Sequence, residues 1–130
     1  MNSMFFDAVS FNGAISNWVV SNVDNIRNLF RGAKNFNRDL ILWDISNVIT
    51  LQETFRDAIA FNGDISSWDV ANCVSFAGTF QSASAFNGDL SKWTTSKVTT
   101  MRQTFEGAIV YNNDISKWNV GKVTTMFQSK

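Results

Sequence analysis

Apolar residues recur along this chain with a period of 25, not with the short periods of an isolated helix or strand. Tryptophan occupies positions 18, 43, 68, 93 and 118, each successive pair 25 apart. Seven residues upstream of each stands an aromatic: Phe11, Phe36, Phe61, Phe86 and Tyr111. A second aromatic column is Phe5, Phe30, Phe55, Phe80 and Phe105, and an alanine column is Ala8, Ala33, Ala58, Ala83 and Ala108. Smaller apolar columns follow at Ile15/Leu40/Ile65/Leu90/Ile115, Val20/Ile45/Val70/Thr95/Val120 and Val23/Val48/Cys73/Val98/Val123. Met1/Ile26/Leu51/Phe76/Met101/Met126 completes the set. A unit of 25 residues cannot bury its own apolar side, so a fixed period of this length predicts coils stacked into a continuous core. The units run about 1–25, 26–50, 51–75, 76–100 and 101–125, with the start of a sixth at 126–130, and form one domain over 1–130.

Within a unit, Met101, Phe105 and Ala108 fall at i, i+4 and i+7, the spacing of one helical face. Thr100 with Gln103, and Thr50 with Glu53, fit a capping box before it, and Gly32 and Gly107 fit a left-handed residue after it. The spacing predicts a helix of about two turns. Asn12-Gly13, Asn62-Gly63 and Asn87-Gly88 mark a turn, with positive φ expected at the glycine. From Ile65 to Asn72, the apolar positions 65, 68 and 70 resemble part of a leucine-rich repeat, and Trp68 alternating with Val70 predicts a short strand. The expected fold is an α/β, right-handed, leucine-rich-repeat-like solenoid of about five coils, each with one short strand and one short helix. Strands stacked about 4.8 Å apart against helices needing closer to 10 Å would curve it.

Composition narrows the function. Lys plus Arg and Asp plus Glu are 11 each, so the net charge is zero, which argues against a nucleic-acid partner. The hydrophobic fraction of 45% supports a packed core and argues against a disordered chain. No apolar run reaches membrane-spanning length, and no basic-then-apolar leader opens the chain. Histidine is absent and Cys73 is the single cysteine, which removes the commonest general base, internal disulfides and cysteine metal clusters. No G-x-S-x-G, Walker loop or H-E-x-x-H motif is present, and repeated carboxylates give copies in one environment where acid/base chemistry needs two. The chain reads as a non-enzyme without cofactor.

Each candidate column has two readings. The tryptophans, in register with other apolar columns, read as core; exposed, they would form a stacking ladder for sugar rings. Asp39, Asp64, Asp89 and Asp114 stack as carboxylates that must be neutralised by backbone amides or by a cation such as calcium. Asn12, Asn37, Asn62, Asn87 and Asn112, with Asn22, Asn47 and Asn72, suit amide ladders that satisfy loop backbone. Thr54, Thr79 and Thr104, with Thr99-Thr100 and Thr124-Thr125, give hydroxyl rows of a kind that can bind ice, interrupted by Asp24, Ile49 and Val74. Asn17, Leu42, Ser67, Lys92 and Lys117 vary from unit to unit just before the tryptophan, as a ligand-binding face would.

The string F-N-G-D-I-S-S-W-D-V (61–70), followed by V-x-x-M-x-x-T-F-x-G-A, resembles the BspA-like leucine-rich-repeat surface proteins and their tandem bacterial surface-lipoprotein repeat. The resemblance covers nearly the whole chain. Thr54, Thr79 and Thr104 stand where that family often has methionine, Ala14 replaces the first unit's aspartate, and the units at Trp93 and Trp118 lack the aspartate after tryptophan. The resemblance implies an extracellular or surface-displayed array for adhesion or for binding a protein or glycan, and no catalytic residues.

No polar capping unit is visible at either end of the repeat. Bare terminal coils expose core, so head-to-tail stacking of copies into a fibre, or membership of a longer array, is the alternative expectation.

Overall fold

The computed structural model describes residues 1–127. Coils of 25 residues are stacked in register, and the columns read from the sequence become ridges of side chains. Phe5, Phe30, Phe55, Phe80 and Phe105 lie ring over ring at 5.5, 5.5, 5.8 and 5.6 Å between centroids. The Phe11-to-Tyr111 column repeats at 5.7–5.9 Å. Trp43, Trp68, Trp93 and Trp118 stack at 6.2–6.5 Å. Within each coil, the two phenyl columns face each other at 4.1–4.3 Å, so the interior is one continuous aromatic block.

The expected α/β solenoid of leucine-rich-repeat type does not form. Among the described residues there is no helix and no strand. The backbone is a run of turns, joined between coils by parallel single-residue bridges at Thr50–Ser75, Ser75–Thr100 and Thr100–Thr125. Where a helix was expected, every second amide points along the stack. The N–H groups of Leu51, Glu53, Phe55 and Asp57 donate to the carbonyls of Ser75, Ala77, Thr79 and Gln81, at 2.8–3.0 Å. The amides between them close local turns: Thr54 to Leu51, Arg56 to Glu53 and Ala58 to Phe55. An α-helix would return each amide to the carbonyl four residues earlier. Here half of them serve the next coil, and the coil-to-coil distance follows. Rings 5.5 Å apart leave no room for helices packed side by side at 8–10 Å. The helical spacing that was expected to curve the stack is absent.

Positive φ recurs at two places in this segment. One column is Ser3, Asn28, Glu53, Gly78 and Gln103; the other is Asp7, Gly32, Asp57, Ser82 and Gly107. A left-handed residue between neighbouring turns aims the following amide out of the coil plane. The Thr50 and Thr100 capping boxes are replaced by hydroxyl turns, with Thr50 Oγ1 accepting from the Gln52 amide at 3.1 Å. Burial at Met101, Phe105 and Ala108 holds, although no helix carries it.

The strand expected around Trp68 is also replaced by turns. The Trp68 amide donates to the Ile65 carbonyl and the Cys73 amide to the Val70 carbonyl, so the alternation of buried Trp68 and Val70 comes from linked turns. Nor do the Asn-Gly glycines adopt positive φ. At Gly63 the reason for glycine is space: a Cβ would lie 2.1 Å from the Arg38 carbonyl oxygen and 2.8 Å from the Phe61 ring.

Candidate functional site

The side chains that could meet a partner are placed by the ladders beneath them. On one flank, Asn12 Oδ1 accepts from the Asn37 amide at 2.9 Å, and the pattern repeats through Asn62, Asn87 and Asn112 at 2.8–3.1 Å. A second ladder runs from Asn47 Nδ2 to the Ser21 carbonyl and from Asn72 Nδ2 to the Ser46 carbonyl. These amides supply acceptors and donors that a sheet would otherwise provide.

Trp43, Trp68, Trp93 and Trp118 are buried, and each indole N–H donates to a carbonyl 28 residues earlier: Ile15, Leu40, Ile65 and Leu90. These four rings are closed to a sugar. Trp18 differs, at 42% exposed. Thr54, Thr79 and Thr104 are also core residues, each hydroxyl lying between two backbone carbonyls, so they form no surface row.

Asn17, Leu42, Ser67, Lys92 and Lys117 are all exposed at one register, directly before the tryptophan. Directly after it, Val19, Asp44, Asp69, Thr94 and Asn119 are exposed as well. Two variable columns therefore flank a constant buried one. The surface changes along the stack, from apolar at Val19 and Leu42 to basic at Lys92 and Lys117. Between the third and fourth coils, Ser66, Ser67, Asp69, Lys92 and Thr94 line an open groove.

The aspartate column is held by local donors. Asp64 Oδ1 accepts from the Ser66 amide at 2.9 Å and the Ser66 hydroxyl at 2.7 Å. Asp89 and Asp114 accept the Ser91 and Ser116 amides at 2.9 and 2.8 Å, and Asp39 Oδ1 takes the Asp64 amide. The Ser66 amide, then its hydroxyl, holds the Asp64 carboxyl below the usual aspartate range. At Asp89 and Asp114 the serine hydroxyl contributes most, followed by the amide. Among the described residues no group of three or more His, Cys, Asp or Glu could hold a metal. Burial, with a smaller contribution from Asp69, pushes the Cys73 thiol up to about 12, and the thiol points at the Val48 carbonyl.

A polar cluster on another face went unread in the sequence. Glu53 bridges Arg31 at 2.6 Å and Arg56 at 3.2 Å, and Gln81 Nε2 donates to Glu106 at 2.8 Å. Its signal was the arginine pair Arg31/Arg56, one period apart. Tyr111 was also missed as anything but an aromatic. Its ring is buried and its hydroxyl has no partner among the described residues. Burial, then the Asp89 charge, raises it to about 12. No described helix is long and apolar enough to cross a membrane.

No curated protein and no solved structure matches the chain. A family model described as "Mycoplasma protein of unknown function, DUF285" matches residues 1–59 and again residues 38–129, and the chain belongs to that family.

Proposed function

We propose that the chain is a non-enzymatic repeat domain, displayed outside the cell or at its surface, that binds a protein or glycan through the two exposed columns flanking the tryptophans. The observation behind this reading is the contrast at one register. Position 18 of the period is tryptophan in every coil, whereas the exposed positions on either side change with each coil. A constant interior presenting a variable face suits recognition, and an apolar-to-basic gradient suits a partner with apolar and acidic groups. The sequence resemblance to BspA-like surface proteins supports surface display. The aspartates support a non-catalytic reading, because Asp64, Asp89 and Asp114 all shift downward through the same serine contact. A general acid would need one of them raised.

The test is a parallel screen of a glycan array and a surface-protein array, using the wild-type chain and the triple variant Leu42→Ser/Lys92→Ser/Lys117→Ser. Leu42 is 70% exposed, so the variant keeps the fold. Binding by the wild type that the variant loses supports the reading. Binding that survives the triple change, or no binding on either array, sinks it.

A further inference from the structure

Equivalent positions reveal which side chains one coil normally covers for the next. Met4 is 53% exposed, whereas Leu29, Thr54, Thr79 and Thr104 of the same column are fully buried. Trp18 is the exposed member of its column, and Phe5 and Phe11 are half-exposed where their copies are buried. These residues form the outer face of the first coil. At the other end, Val120 is 43% and Met126 49% exposed, whereas Val20, Ile45, Val70 and Thr95, and Ile26, Leu51, Phe76 and Met101, are buried. There, Met101, Phe105, Tyr111, Ile115, Trp118 and Met126 line an apolar cavity of about 120 Å³.

We propose that this cavity face of the fifth coil receives the first coil of a second copy, so that copies stack head to tail in an open-ended series. The contact continues the coil–coil interface already present four times within the chain, with the same columns in the same register. Particular polar groups are left ready for it. The Ile15 carbonyl accepts from both the Trp18 amide and the Trp43 indole, each at 3.0 Å. The Ile115 carbonyl accepts from the Trp118 amide, and among the described residues no indole reaches it. The Trp18 indole likewise has no acceptor among the described residues. Stacking in register brings the indole N–H of one copy's Trp18 to the other's Ile115 carbonyl. It also brings the Asn12 amide to Asn112 Oδ1, extending the asparagine ladder. The contact is heterologous, because the two faces carry different residues, and it does not close on itself. This self-association uses the ends of the stack and is independent of recognition by the lateral columns.

The test is solution mass by light scattering from micromolar to near-millimolar protein, on the wild type and on two variants at exposed positions, Met4→Glu and Val120→Glu. Far-UV circular dichroism and a thermal melt confirm that each variant folds. The wild-type mass is expected to climb from 14.6 kDa past twice that value without a plateau. Either variant alone stays at 14.6 kDa. An equimolar mixture of the two forms a dimer and nothing larger, because each retains the face the other has lost. A wild type that remains monomeric overturns the proposal and leaves the cavity face to a further coil or another partner. A plateau at a dimer, or sensitivity to only one variant, overturns it too, since either result means like faces pair.

Discussion

Replacing Trp68 with alanine removes a ring stacked between Trp43 and Trp93 at 6.5 and 6.4 Å, and only 3% exposed. A buried aromatic removes roughly 150–250 Å² from water. At about 25 cal/mol per Å² that is about 4–6 kcal/mol. The retained methyl and partial collapse of the site reduce it to about 3–5 kcal/mol. The lost indole bond adds little, because the Leu40 carbonyl keeps the Trp43 amide at 3.0 Å. Trp18→Ala is the internal control: the same side chain, at the same register, with 42% already in water. Its cost is about half as large. Guanidinium unfolding followed by far-UV circular dichroism at micromolar concentration measures both. Because Trp68 sits in the middle coil, its loss also weakens the coupling between the two halves, and the transition broadens. Equal losses for the two variants, or none for Trp68→Ala, would refute the claim that the tryptophan column is core.

Three further outcomes are expected. Tyr111→Phe gains about 1 kcal/mol in dilute solution, because it removes a buried hydroxyl without a partner and installs the ring found in the other four coils; a denaturation curve that does not move counts against it. Gly63→Ala loses about 2 kcal/mol, because the new methyl meets the Arg38 carbonyl; a melting temperature like the wild type's would show that the coils can separate there without penalty. Serine contacts hold Asp44, Asp64, Asp89 and Asp114 below the ordinary aspartate pKa, so their folded values lie below their unfolded ones. That stabilisation is complete above about pH 4 and is lost as pH falls through the depressed values. Thermal melts from pH 6 downward should show it, and Ser46→Ala with Ser91→Ala should flatten the dependence.

Burial was legible in the sequence, while conformation was not. The period of 25 located every ridge, and Phe30, Phe55 and Phe80 are fully buried where their column placed them. The helix was misread because Met101, Phe105 and Ala108 point inward at a spacing that a helix and a chain of turns share. What separates the two is the partner of an amide such as that of Phe55, which lies 24 residues away at the Thr79 carbonyl. Nothing inside one unit signals such a bond. The left-handed residues were equally hidden: Gly78 advertises positive φ, but Glu53 and Gln103 at the same register do not. On the candidate face, exposure of Leu42 and Lys92 followed from lying beside tryptophan in a turn. The unpaired hydroxyl of Tyr111 depends on what lies around its ring tip, which no column in the sequence records.

The constant register has a genetic corollary. Every ridge and ladder joins residues 24 to 28 positions apart, so deleting one residue would slide all the columns beyond it against those before it, unpairing the asparagine rungs and misaligning the rings. Deleting or duplicating a whole coil leaves the interface between neighbours chemically unchanged. Molecules built this way tolerate change in length only in steps of 25 residues, each about 4.8 Å along the stack. Unequal crossing-over between repeats produces such steps, so reach can vary while the fold stays intact.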